Sequence, residues 1–273
     1  MSIRPPAVAG MFYPDSEFDI ARELDRCFNA TDEPGKTDDV QQTPTPTVVG
    51  PPKALIVPHA GYIYSGITAA YGYRQLSADI TRVVLLGPCH TVAVYGLALP
   101  GAEAFATPVG TVPVDTEQAR ALAGKPQVLT SPEAHRWEHS LEVQLPFLLR
   151  MLDQFTLLPL AVGAATPEDV ADVLDTVWGG PETLIVISSD LSHYLPYELA
   201  NKADAATVAQ ILALDGPLDH NQACGATPIN GLLVAAKRRN LIPRLLDLRN
   251  SGDTAGDKNR VVGYTAIGFW EET

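Results

Sequence analysis

Short apolar runs that break at proline or glycine and pass straight into titratable residues recur along this chain, each followed by a stretch of helical pattern. Leu55 to Val57 reads as a buried strand that stops at Pro58, with His59 next and a helix over Ile67 to Leu76. Val83 to Leu86 repeats the arrangement: Gly87-Pro88 breaks the strand and His90 follows. Thr183 onward is a third such strand, running into Asp190 and His193. Strands alternating with helices predict an α/β fold, and ligands in open α/β sheets gather beyond the carboxyl ends of the strands. Two histidines at equivalent strand ends, one β-α-β unit apart, are expected to converge at one edge of a parallel pair.

Other segments fill in the frame. Residues 1–14 are apolar and aromatic, suited to an ordered arm, and Ser16 to Phe28 is an amphipathic helix with Phe18, Ile20, Leu24 and Phe28 on its apolar face. Residues 31–52, rich in Thr, Pro, Asp and Gln, read as a surface loop or flexible insertion within one domain spanning 1–273. Residues 94–115 suggest short strands or a hairpin-like excursion ending at Asp115, with a helix over Thr116 to Leu122. Leu141, Leu145, Leu148 and Leu149 mark an amphipathic helix from Ser140 onward. Phe155 to Val162, Arg244 to Leu248 and Val261 to Phe269 read as strands. Pro167 to Val177, Tyr197 to Leu214 and Pro228 to Arg239 read as helices.

Composition narrows the function classes. The chain has 273 residues, 46% hydrophobic and 19% charged, enough for a sizeable core. A net charge of −13 argues against a nucleic-acid surface. No apolar run is long enough for a membrane helix, and nothing at the N-terminus resembles a signal peptide, so a cytoplasmic protein without membrane contact is expected. Lys237, Arg238 and Arg239 form a basic cluster that reads as a helix C-terminal complement.

The candidate chemistry lies in histidines and one cysteine. His135 and His139 have the i, i+4 spacing of metal-binding pairs, but Arg136 and Glu138 depart from the zinc-protease pattern. His135 is expected at a surface helix terminus, whereas His139 suits a ligand or a helix start equally. Asp190 stands three residues before His193, where a carboxylate can orient an imidazole for acid–base work, or simply cap a turn. Cys224 precedes a helix start, a favourable place for a thiolate, although free cysteines are more often small buried hydrophobes.

Taken in order, Ala7-Val-Ala-Gly-Met-Phe-Tyr-Pro14, Pro58-His-Ala-Gly-Tyr-Ile-Tyr-Ser-Gly66, Gly87-Pro-Cys-His-Thr91, Glu138-His-Ser140, Ser188-Ser-Asp-Leu-Ser-His193 and Cys224-Gly225 resemble the Memo family, called AmmeMemoRadiSam system protein B in prokaryotes. The resemblance runs from residue 4 to Gly268. It implies a fold similar to LigB-type class III extradiol dioxygenases, a single α/β/α domain around a mixed central sheet. It also implies metal ligands at His59, His90 and Cys224, an acid–base histidine at His193 with Asp190 beside it, and substrate-binding positions at Phe12, Tyr64 and His139. Companions by family are an AMMECR-type protein and a radical SAM enzyme.

The dioxygenases hold Fe(II) with two histidines and a glutamate, whereas Cys224 offers a soft thiolate, which favours copper(I), zinc or thiolate-ligated iron. Ring cleavage therefore does not follow from the fold. The leading expectation is a redox-active metalloprotein using iron or copper, with zinc possible, acting on a small molecule or peptide. A non-catalytic binding module for phosphorylated or anionic ligands is the alternative, and a Cys224 nucleophile ranks last because it needs no strand-end histidines.

Overall fold

The computed structural model describes residues 2–37, 40 and 48–272. Its centre is a mixed sheet in which four strands run parallel side by side: Ala54–Val57, Thr183–Ser188, Arg82–Pro88 and Thr156–Val162. Val261–Trp270 extends the sheet antiparallel to Ala54–Val57, and itself pairs with Ile242–Asn250 and with the short strand His193–Leu195. On the far side come Leu97–Leu99, antiparallel to Thr156–Val162, and then Val128–Thr130. A smaller sheet joins Ile3–Arg4 to the hairpin Ala104–Thr107 and Gly110–Pro113. The expected mixed sheet with helices on both faces is thus observed.

The parallel strands are apolar almost throughout because both faces are covered. Side chains alternate across the sheet, so each strand feeds two cores. Ile56, Val84, Leu86, Leu158, Ile185 and Ile187 face the helices Pro167–Val177 and Ala226–Arg238, while Leu55, Val57, Val83, Leu85 and Val186 face Tyr62–Tyr73 and the N-terminal elements. The two helices of the first layer touch closely at Gly231, where an added Cβ would lie 2.3 Å from Val170 Cβ. Gly231→Ala is expected to lower stability by about 1–3 kcal/mol through overpacking, read as a lower urea midpoint at unchanged slope. The basic cluster is used nearby: Arg238 pairs with Asp172 and Asp175, and Arg239 with Asp175.

Several expectations shift. The strands carrying His59 and His90 are not neighbours, because Thr183–Ser188 lies between them. The helix after His59 spans Tyr62–Tyr73, starting before the expected Ile67. Buried on nearly all sides, it shows little apolar/polar alternation to mark its start. Residues after Ser140 first form a 3-10 turn, Glu142–Gln144, and only then the helix Leu145–Met151. Within the expected 31–52 loop, residues 38–39 and 41–47 lie outside the described residues. The part before them is tied down: Lys36 donates its N–H to Asp247 Oδ1 (2.8 Å), and its carbonyl accepts from Leu248 (2.9 Å). Among the described residues no helix is long and apolar enough to cross a membrane.

The N-terminal arm is ordered by a single buried carboxylate. Glu142 pairs with the buried Arg4 and accepts from the N–H groups of Ala7 (2.8 Å) and Val8 (3.0 Å) and from the Tyr13 hydroxyl (2.6 Å). Tyr62 N–H then donates to the Phe12 carbonyl (2.8 Å), bringing the arm to the start of the helix beyond His59.

Candidate metal centre

His59 leaves the sheet at Pro58, and its ring is fully enclosed. Its tautomer follows from the hydroxyl beside it. Ser188 Oγ gives its only hydrogen to the Ser140 carbonyl (2.6 Å) and accepts from Gln144 Nε2 (2.8 Å). His59 Nδ1, 2.9 Å from that oxygen, must therefore donate, which leaves the Nε2 lone pair facing the site. Burial, reinforced by the neighbouring His139, His90 and His193, holds the His59 imidazole well below its usual pKa, so it stays neutral and ready to ligate.

His90 is fixed in the same way by Glu138. The carboxylate accepts from His90 N–H (2.5 Å) and from Nδ1 (2.9 Å), and reaches His139 Nδ1 at 3.4 Å. Burial opposes ionisation of Glu138, but the His90 hydrogen bond and charge, with the N–H groups of Ser140 and His90, bring its carboxyl down to about 2. The carboxylate thus orients the His90 imidazole and lies beside that of His139, an arrangement common behind metal-ligating histidines. The His90 and His139 rings stack at 4.8 Å, and each lies 5.3 Å edge-on from His59. One ligand atom from each of the three lies within 4.8 Å of the others. Their chemistry fits a first-row transition ion: at least two are oriented by second partners, and neutral imidazole suits zinc, copper, iron and nickel. Glu138→Gln keeps the shape but loses the charge, and is expected to weaken metal binding about 10–100-fold in a competition titration.

Cys224 lies beside His59, with Sγ 3.3 Å from its Nε2. Gly225 permits the approach, since a Cβ there would meet Ser189 Cβ at 2.6 Å. Burial, with the charge of Asp190, pushes the thiol up to about 12, so as a thiol it donates to His59 or to the Asp190 carbonyl. His59 thus lies near both Cys224 and His90, but the group of three donors is completed by His139 and does not include Cys224.

Asp190 and His193 line the same pocket without bonding each other among the described residues. The Asp190 carboxylate turns to the loop after Pro58, where Oδ1 accepts from His59 N–H (2.8 Å), and burial raises it to about 7. His193 is exposed at the rim, and its pKa is lowered chiefly by partial desolvation of its ring. Instead of orienting His193, Asp190 holds the His59 backbone, because it lies buried two residues beyond the strand end at Ser188 while His193 starts a new, exposed strand. Phe12 packs on His139 (4.6 Å), and Phe12 and Tyr64 both line the cavity, which measures about 760 Å³.

His135 lies elsewhere. It is buried, not at the surface, with Nε2 2.7 Å from the Ala98 carbonyl, and burial brings it down to about 4. Its helix, Pro132–Arg136, ends before His139, so the i, i+4 spacing never lies on one helical face. Glu138, Ser188 and Gln144 support the imidazoles through contacts that local sequence pattern does not mark, apart from the adjacency of Glu138 to His139.

The family described as "Memo-like protein" matches residues 4–268. A MEMO1 family protein of Metallosphaera sedula is 35% identical, covering 97% of this chain and 99% of its own. One from Methanosarcina barkeri is 36% identical with the same coverage. An uncharacterized Escherichia coli K12 protein of known crystal structure aligns with a TM-score of 0.49 at 14% identity, over 79% of this chain and 99% of its own.

Proposed function

The chain belongs to the Memo-like family, and from that premise we propose that it is a redox-active metalloprotein acting on a small molecule in an oxygenase-like pocket. The observation that carries this reading is the trio His59, His90 and His139, with donors within 4.8 Å of one another on the wall of an open 760 Å³ cavity. Iron or copper is the proposed ion, with Cys224 as a further ligand beside His59. When bound, such an ion supplies electron transfer and Lewis acidity.

The chain's own residues do the rest. Glu138 and Ser188 hold two imidazoles in their ligating tautomers. His193, its imidazole held below the usual pKa by partial burial, takes a proton from the ligand at the rim or returns one. Asp190 steadies the His59 turn. Phe12 and Tyr64 cover the ligand. Kinship with LigB-type dioxygenases, the AmmeMemoRadiSam subtype, and AMMECR-type and radical SAM companions belong to the same proposal.

Metal uptake by anaerobically purified protein tests it, read together with the protons released. Iron or copper should bind at about one per chain. If Cys224 ligates, the parent releases about one proton more than Cys224→Ala, and its affinity rises about tenfold per pH unit relative to that variant. Equal release would remove Cys224 from the ligand set. Failure to take up iron, copper or zinc would overturn the metal reading and favour a pocket that binds anionic ligands without metal, with the histidines contacting the anion and Phe12 and Tyr64 stacking on its body.

A further inference from the structure

Arg260 is the one lysine or arginine lining the metal-centre cavity among the described residues. Nearby cations are engaged: Arg249 pairs with Asp247, Lys36 with Asp253, and Lys258 lies over the Tyr197 ring at 4.3 Å. Arg260 instead lies over the face of Tyr194, its Cζ 4.8 Å from the ring centroid, and forms no ion pair among the described residues.

Tyr194 has an unusual backbone. Its φ of 62° is in the left-handed region, costly for an aromatic residue at about 1–3 kcal/mol. The strain sits at a break in strand register, where His193 and Leu195 face the adjacent residues Val262 and Val261. Such bulges redirect side chains. Here the bulge puts His193 on the cavity wall and leaves Tyr194, 61% exposed, beneath the Arg260 guanidinium.

We propose that Arg260, seated on Tyr194, is a specificity-determining residue that selects a small monocarboxylate with a flat apolar body. The guanidinium fork matches a carboxylate bidentately, and stacking on Tyr194 keeps the fork presented at low entropic cost. At this rim Arg260 is the one side-chain cation among the described residues and Asp257 lines the same wall, so the guanidinium offers a single anion-pairing site besides the histidine trio. That balance favours a monoanion over a phosphate dianion. Phe12 and Tyr64 supply apolar surface for the body of the ligand. The proposal deepens the metalloprotein reading and rests on it in taking this cavity as the substrate site.

Calorimetric titration of the full chain with benzoate, benzamide and phenyl phosphate tests it, on protein as isolated and after chelation, with metal content measured in parallel. The parent should bind benzoate about tenfold or more tighter than benzamide. Arg260→Gln should lose that preference while keeping benzamide affinity and metal content. Arg260→Lys should retain part of it, since the charge remains without the fork. Benzoate affinity unchanged in Arg260→Gln would overturn the proposal, as would tighter binding of phenyl phosphate or no binding of any probe at millimolar concentration. A parent that takes up no metal, yet keeps an Arg260-dependent benzoate preference, would support the clamp while overturning the metal reading.

Discussion

His59→Ala is expected to empty the metal centre. Its Nε2 faces the site from a fully enclosed ring, and the other two imidazoles meet it edge-on from the more open side. Removing it deletes a ligand and also leaves Ser188 Oγ and Cys224 Sγ without their imidazole partner. The loss in metal affinity should exceed the roughly 10–100-fold typical of an outer-shell change such as Glu138→Gln. Metal content after gel filtration, compared with the parent and with His135→Ala, is the direct reading. His135 bonds to the Ala98 carbonyl and is not one of the three donors, so its variant should keep the ion. A His59→Ala protein that retained stoichiometric metal would sink the ligand assignment.

The largest stability effect is expected at Glu142. Its carboxylate is fully buried and satisfies Arg4, two backbone N–H groups and the Tyr13 hydroxyl at once. Glu142→Ala strands a buried guanidinium that is 6% exposed, and should cost about 3–5 kcal/mol in urea unfolding. Glu142→Gln, which keeps some of the hydrogen bonds, should fall between it and the parent. The damage should extend to the pocket, because the arm carries Phe12 onto His139. A loss below about 1 kcal/mol would mean that Arg4 and the arm find other partners, contrary to the bridging role assigned to the carboxylate.

Periodicity and punctuation carried much of the architecture. Alternating apolar strands with proline or glycine stops predicted an α/β fold with histidines at strand ends, because side-chain period and chain-breaking chemistry are local properties. The family motifs identified His59, His90 and His139 as residues near one pocket. Helix starts such as Tyr62 were less legible, since a helix buried all round loses the pattern that marks its edges. Sheet order was hidden altogether: Thr183–Ser188 enters between two strands far earlier in the chain, and thereby delivers Ser188 to His59.

Residue chemistry and local pattern establish which side chains can ligate, titrate and stack, and which stretches must be buried. Their partners follow from long-range packing. Glu138 serves His90 and His139, Asp190 serves the His59 backbone instead of His193, and Tyr194 lies under Arg260. Each of these contacts depends on strand order, on a bulge, or on where a short helix ends. Those features come from packing between segments distant in sequence, which no local pattern records.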